Sequence, residues 1–266
     1  MGAPTSTLDG WRRYPFAAHG LNHDCYEKGD GPGVVVIPEI PGITPEVLGL
    51  ADHLVGSGFT VVIPSLFGTP GRGDSVGYVL GTVARICVSA EMRAFARNAH
   101  RPVTDYLRAL AADLAGRTPG TGVGVLGMCF TGGFALATAV EPTVNAPVMA
   151  EPSVPFSVGA SRRTDPGMSP AELQTVVERT RTDGLCVLGL RFSQDAAAPA
   201  ARFETLRRSL GDAFEVIELD SSPGNPDGYS AHAHSVLTTE VRTDPPNSAA
   251  AARDRVVEFL RDRLTS

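Results

Sequence analysis

Gly127-Met128-Cys129-Phe130-Thr131-Gly132-Gly133 places one thiol directly after an apolar run and directly before a series of small residues. The run up to Gly127 reads as a strand and Phe134 to Ala137 as a helix, so Cys129 falls on a sharp strand-to-helix turn. Such a turn presents a single side chain above a sheet. A thiol there also lies at a helix N-terminus, whose partial positive charge favours the thiolate and raises reactivity. A lone cysteine is usually a small buried packing residue. The glycines on both sides of Cys129 favour a nucleophile instead.

A nucleophile of this kind needs a base, and the base needs an acid to orient it. Asp195 closes the segment Phe192-Ser193-Gln194-Asp195, just past a second apolar run, where a carboxylate can fix the tautomer of a histidine. His234 lies in Ala231-His232-Ala233-His234-Ser235, beyond the last strand, and is the candidate general base, with His232 as its rival. Two histidines without further ligand-spaced residues make a poor metal site, and neither a metal nor a cofactor is expected. The order nucleophile, acid, histidine, each after a separate strand, is that of the α/β-hydrolase fold.

The elements that would position these residues alternate along the chain. Residues 34–37 form a continuous β-branched run, the mark of a strand buried on both faces. Thr44-Pro45 opens a helix as N-cap and first helical residue, and Val47, Leu50, Ala51, Leu54 and Val55 supply its apolar face. Residues 59–63, 146–150, 185–190 and 214–219 read as strands, and 105–114 and 199–210 as helices. Tyr14 to Phe16 and Cys25-Tyr26 read as short edge strands, and Val256, Val257, Leu260 and Leu264 mark a closing helix. Residues 151–183 break the alternation. There a capping box, Ser169-Pro170-Ala171-Glu172, starts a helix to about Thr182, and the segment is expected to be a lid-like insertion. The expectation is one domain over residues 1–266: a mostly parallel central sheet with helices on both faces and ligands bound at the carboxyl ends of its strands.

Composition narrows the partners. The 266 residues carry a formal net charge of −6, which argues against nucleic acid, whose binders present a basic face. No apolar run reaches the roughly 18 residues of a membrane span. The start of the chain lacks a signal-peptide pattern, and the four cysteines are scattered without a CxxC pair, so a cytoplasmic location with reduced thiols is expected.

These segments resemble the dienelactone hydrolase family over most of the chain. Glu39-Ile40-Pro41-Gly42 matches the family's strand-Glu-hydrophobic-x-Gly loop, Gly127-Met128-Cys129 its cysteine elbow, and Phe192–Asp195 and Ala233-His234-Ser235 its acid and histidine segments. The resemblance implies an α/β-hydrolase fold and a Cys129–His234–Asp195 triad. It also implies that Glu39 interacts with the thiol and helps to set its protonation, and that the backbone N–H groups of Phe130 and Ile40 form the oxyanion hole. This sequence departs from the family pattern twice. Thr131 stands where the elbow usually has glycine, and a β-branched residue is expected to crowd the turn. Thr238, four residues after the histidine, stands where the classical enzymes hold a substrate carboxylate with arginine. Arg72, Arg85 and Arg93 are the candidate replacements, Arg85 and Arg93 above all.

The expected activity is hydrolysis of a small ester or lactone through a thioester on Cys129, in a monomer or homodimer. Two other readings share the fold: a cyclase or acyl-transfer enzyme of secondary metabolism using the same triad, and a non-catalytic binding protein.

Overall fold

In the computed structural model, which describes residues 2–75, 77–82 and 102–265, eight strands form one sheet. In chain order they are β1 (Arg12–Ala18), β2 (Leu21–Lys28), β3 (Gly33–Ile37), β4 (Thr60–Pro64), β5 (Val123–Met128), β6 (Val144–Ala150), β7 (Val187–Phe192) and β8 (Phe214–Leu219). Their order across the sheet is β1-β2-β4-β3-β5-β6-β7-β8. β1 and β2 form an antiparallel hairpin, β2 runs antiparallel to β4, and every other neighbouring pair is parallel. The hairpin is longer than the two short edge strands that the sequence suggests.

Why the central strands read as unbroken apolar runs is visible in the two cores they divide. Val34 and Val36 of β3 point into one core, and Val35 and Ile37 into the other. Leu126 and Met128 of β5 face the first core, and Val123 and Val125 the second. A strand that must bury both faces has no position for a polar residue. Helices α1 (Pro45–Gly56) and α7 (Ser248–Leu264) cover the first face. The other face is covered by α2 (Pro102–Ala115), α3 (Gly132–Thr138), α5 (Pro170–Thr182) and α6 (Ala200–Leu210). Thr44 caps α1 by accepting the Val47 N–H, and Ser169 and Glu172 form the capping box of α5. The five-residue helix α4 (Ala160–Thr164) precedes α5.

Two buried arginines wire the stretch between β6 and β7 to its surroundings. The Arg179 guanidinium of α5 donates to the carbonyls of Ala139, Glu141, Pro142 and Val144. That of Arg202 on α6, fully buried, donates to the carbonyls of Pro152, Pro155, Arg162 and Asp165. Burial lowers the Arg202 pKa to about 10, so the side chain is still charged at neutral pH. The exposed apolar side chains Phe156 and Val158 lie in the same stretch.

The register of the parallel strands sets the site. Ile37 lies opposite Gly127, Met128 opposite Ala150, Ala150 opposite Leu190, and Phe192 opposite Leu219. The carboxyl ends of β3, β5, β6, β7 and β8 therefore form one rim, and the residue that follows each strand enters the same region.

Candidate active site

Cys129 leaves β5 with φ +52°, in the left-handed region that non-glycine residues seldom occupy. A conformation of that kind costs on the order of 1 kcal/mol and is kept only where the surroundings enforce it. Here a single 3-10 turn, Cys129–Thr131, joins β5 to α3. Gly127 must be glycine, because a Cβ there would lie 2.3 Å from the Thr131 carbonyl oxygen. Gly132 is equally constrained: a Cβ would come within 2.8 Å of Pro152 Cα and 2.9 Å of the Ala150 carbonyl oxygen.

Thr131 does not crowd this turn. Its φ of −96° is ordinary for a β-branched residue, so the backbone does not demand glycine at this place. Its hydroxyl accepts the Met128 N–H at 3.0 Å and donates to the Ile37 or Met128 carbonyl, each 2.9 Å away. One buried hydroxyl thus ties the elbow to itself and to the end of β3. The close approach that calls for a missing Cβ has moved one residue on, to Gly132.

His234 and Asp195 meet beside the elbow. His234 Nδ1 lies 2.7 Å from Asp195 Oδ2, and Asp195 Oδ1 accepts the N–H groups of Ala197 (2.9 Å) and Ala198 (3.3 Å). Both carboxylate oxygens are therefore engaged. Burial acts to lower the His234 pKa, but hydrogen bonds to Asp195 and Cys129 and the negative groups around the ring raise it to about 11. Burial likewise acts to raise the Asp195 carboxyl, and its bonds to His234 and the two N–H groups bring it below the ordinary aspartate value. His232 is exposed, and its N–H bonds Ser230 Oγ, so His234 is the histidine brought to the acid.

Two more carboxyl groups are buried at the rim. Glu39, after β3, accepts from Thr238 Oγ1 at 2.5 Å and from Ser235 Oγ at 2.8 Å. Both its oxygens thus hold the loop that carries His234, and burial pushes its pKa up. Thr238, at the family's arginine position, is bound to Glu39. Glu151, directly after β6, is fully buried and accepts the Val236 N–H at 3.3 Å. Two residues further, Ser153 Oγ lies 3.5 Å from Cys129 Sγ, and the Ser153 N–H donates to the Cys129 carbonyl at 3.0 Å. Sequence reasoning missed Glu151 and Ser153. The available signal was the one that exposed Cys129 and Asp195, a polar residue just past an apolar strand.

Phe130 follows Cys129 in the turn, and Ile40 lies on the loop after β3, the strand paired with β5. The Phe130 ring meets Phe67 and Phe134 edge-on, with centroids 5.8 and 5.9 Å apart, and forms an aromatic wall. The Arg72 guanidinium stacks 4.1 Å from the centre of the Tyr78 ring. Arg85 and Arg93 lie outside the described residues. Among the described residues no cluster of three or more His, Cys, Asp or Glu side chains could hold a metal, and no helix is long and apolar enough to cross a membrane.

The dienelactone hydrolase family model matches residues 23–264. A dienelactone hydrolase from Anabaena variabilis has a similar structure, at 14% identity and a TM-score of 0.59, covering 96% of this chain and 99% of that one. A dienelactone hydrolase-like promiscuous phosphotriesterase from metagenomic libraries is similar at 16% identity and a TM-score of 0.60, covering 96% and 98%. Acetyl xylan esterase 1 from Thermoanaerobacterium is similar at 16% identity and a TM-score of 0.53, covering 97% and 87%. A search of curated proteins by sequence found no match.

Proposed function

The chain belongs to the dienelactone hydrolase family, and on that premise we propose that it hydrolyses a small ester or lactone through Cys129, His234 and Asp195. The observation that carries this reading is the 2.7 Å contact between His234 and Asp195 beside a cysteine held at φ +52°.

The Asp195 contact keeps a proton on Nδ1 and leaves Nε2 for the thiol. In the resting site Nε2 already carries the thiol proton as part of the imidazolium, and the Cys129 thiolate attacks the carbonyl carbon. Charge collects on the carbonyl oxygen, where the Phe130 and Ile40 N–H groups are the candidate donors. The C–O bond then breaks, the imidazolium gives its proton to the departing alkoxide, and a thioester remains on Cys129. Neutral His234 next takes a proton from water, hydroxide adds to the thioester, and the thiolate leaves as the acid product forms. Ser153 Oγ, 3.5 Å from the sulfur, donates a hydrogen bond to the thiolate in both halves of the cycle.

This reading places no substrate charge at the Thr238 position. Thr238 cannot bind a carboxylate as arginine would, and its hydroxyl is occupied by Glu39. Replacing Cys129 with alanine should lower kcat for a neutral activated ester by at least about 10³-fold, the scale on which loss of a covalent nucleophile acts. Unchanged turnover would overturn the proposal.

A further inference from the structure

Glu151 is a buried acid for which the mechanism above has no task. Its side chain is fully enclosed, and its backbone has φ +34°, so the rim holds it in an unfavourable conformation. Its N–H is tied to the Leu190 carbonyl at 2.8 Å. Oε2 accepts from Val236, two residues past His234, while Oε1 has no hydrogen-bond partner among the described residues. No basic side chain among the described residues forms an ion pair with it. A carboxylate in this place would be desolvated and supported by one backbone N–H alone, whereas a neutral acid buries no net charge.

The ionisable groups around Glu151 come from every neighbouring strand end: Glu39 after β3, Cys129 after β5, and His234 from the loop beyond β8, itself paired with Asp195 from β7. Burial raises the Glu151 pKa well above the usual glutamate value, and the Glu39 and Cys129 charges raise it further. His234 acts in the opposite direction without offsetting them.

We propose that Glu151 is a positioning residue of the site: held as a neutral acid, it anchors the His234 loop through Val236, and loss of its proton sets an alkaline limit on the Cys129–His234 pair. The proton leaves to solvent hydroxide. The carboxylate formed then competes for the imidazolium and repels the thiolate. This inference rests on Cys129 and His234 being the working pair.

The test is the rate of Cys129 alkylation by iodoacetamide against pH, which needs no substrate. Below the His234 titration near 11, the wild type should show a lower inflection for thiolate formation and a second one above neutrality. Glu151→Gln keeps an oxygen for Val236 and cannot ionise. It should leave the lower inflection within about 0.3 pH unit and remove the upper one. A lower inflection that falls by about one unit or more would mean that Glu151 was already charged, and would overturn the proposal. So would an upper inflection that persists in Glu151→Gln. A wild-type profile with a single inflection overturns it without any variant. Two inflections in a protein that hydrolyses no ester would refute the proposed hydrolysis and leave the Glu151 assignment standing.

Discussion

Replacing Asp195 with asparagine tests the site through one proton. In the wild type, Oδ1 receives two backbone N–H groups, from Ala197 and Ala198, and Oδ2 receives His234 Nδ1. An asparagine side chain has a single acceptor oxygen. The two backbone donors require that oxygen at the Oδ1 place, so the amide NH₂ must face His234. Nδ1 then has to accept, and the ring proton moves to Nε2, where it points at Cys129 instead of receiving the thiol proton. Fold and packing are unchanged; only the tautomer is reversed. By comparison with the same change in serine-protease triads, kcat should fall about 10³- to 10⁴-fold, or roughly 4–5.5 kcal/mol. Ester hydrolysis at pH 7 gives the rate, and ¹⁵N NMR of the imidazole gives the tautomer. An Asp195→Asn protein that keeps its rate within tenfold, or keeps its proton on Nδ1, would refute the reasoning.

Thr131→Val should destabilise the protein by about 1–3 kcal/mol in urea unfolding, because the buried Met128 N–H loses its acceptor. Thr131→Gly, which restores the family residue, should also destabilise it rather than improve the elbow. Arg202→Met should cost about 3–5 kcal/mol, since four carbonyls lose their donor, and should loosen the stretch that carries Ser153. His234 is held protonated in the fold, with a pKa near 11 against 6.5 unperturbed. The stability this adds is complete below pH 6.5 and is lost as pH rises toward 11. The difference in melting temperature between wild type and His234→Gln should therefore shrink across that interval.

The three candidate residues were legible because Cys129 and Asp195 lie just past apolar strands and His234 on the loop beyond the last one, and parallel strands of one sheet bring such positions to a common rim. The same rule applies to Glu151, but the following Pro152 and the loss of periodicity drew attention to an insertion instead. Thr131 was misread for a physical reason. Residue spacing reports where a backbone wants glycine, whereas a hydroxyl that reaches the Ile37 carbonyl bridges 94 positions and leaves no local trace. Arg202 was hidden in the same way. On the sequence it is one of several arginines in an amphipathic helix, and its four carbonyl partners, at residues 152, 155, 162 and 165, lie at least 37 positions away. The two carboxyl groups that grip the His234 loop are likewise contacts between distant segments, 196 positions apart for Glu39 and Ser235.

The central claim is that Cys129 becomes acylated. The direct measurement is intact-protein and peptide mass spectrometry after rapid acid quench of the enzyme with a neutral p-nitrophenyl ester. The account predicts an acyl adduct on Cys129 that forms within one turnover, decays as product appears, and is absent from Cys129→Ala. Turnover with no adduct on Cys129, or with an adduct elsewhere that persists in Cys129→Ala, would contradict it.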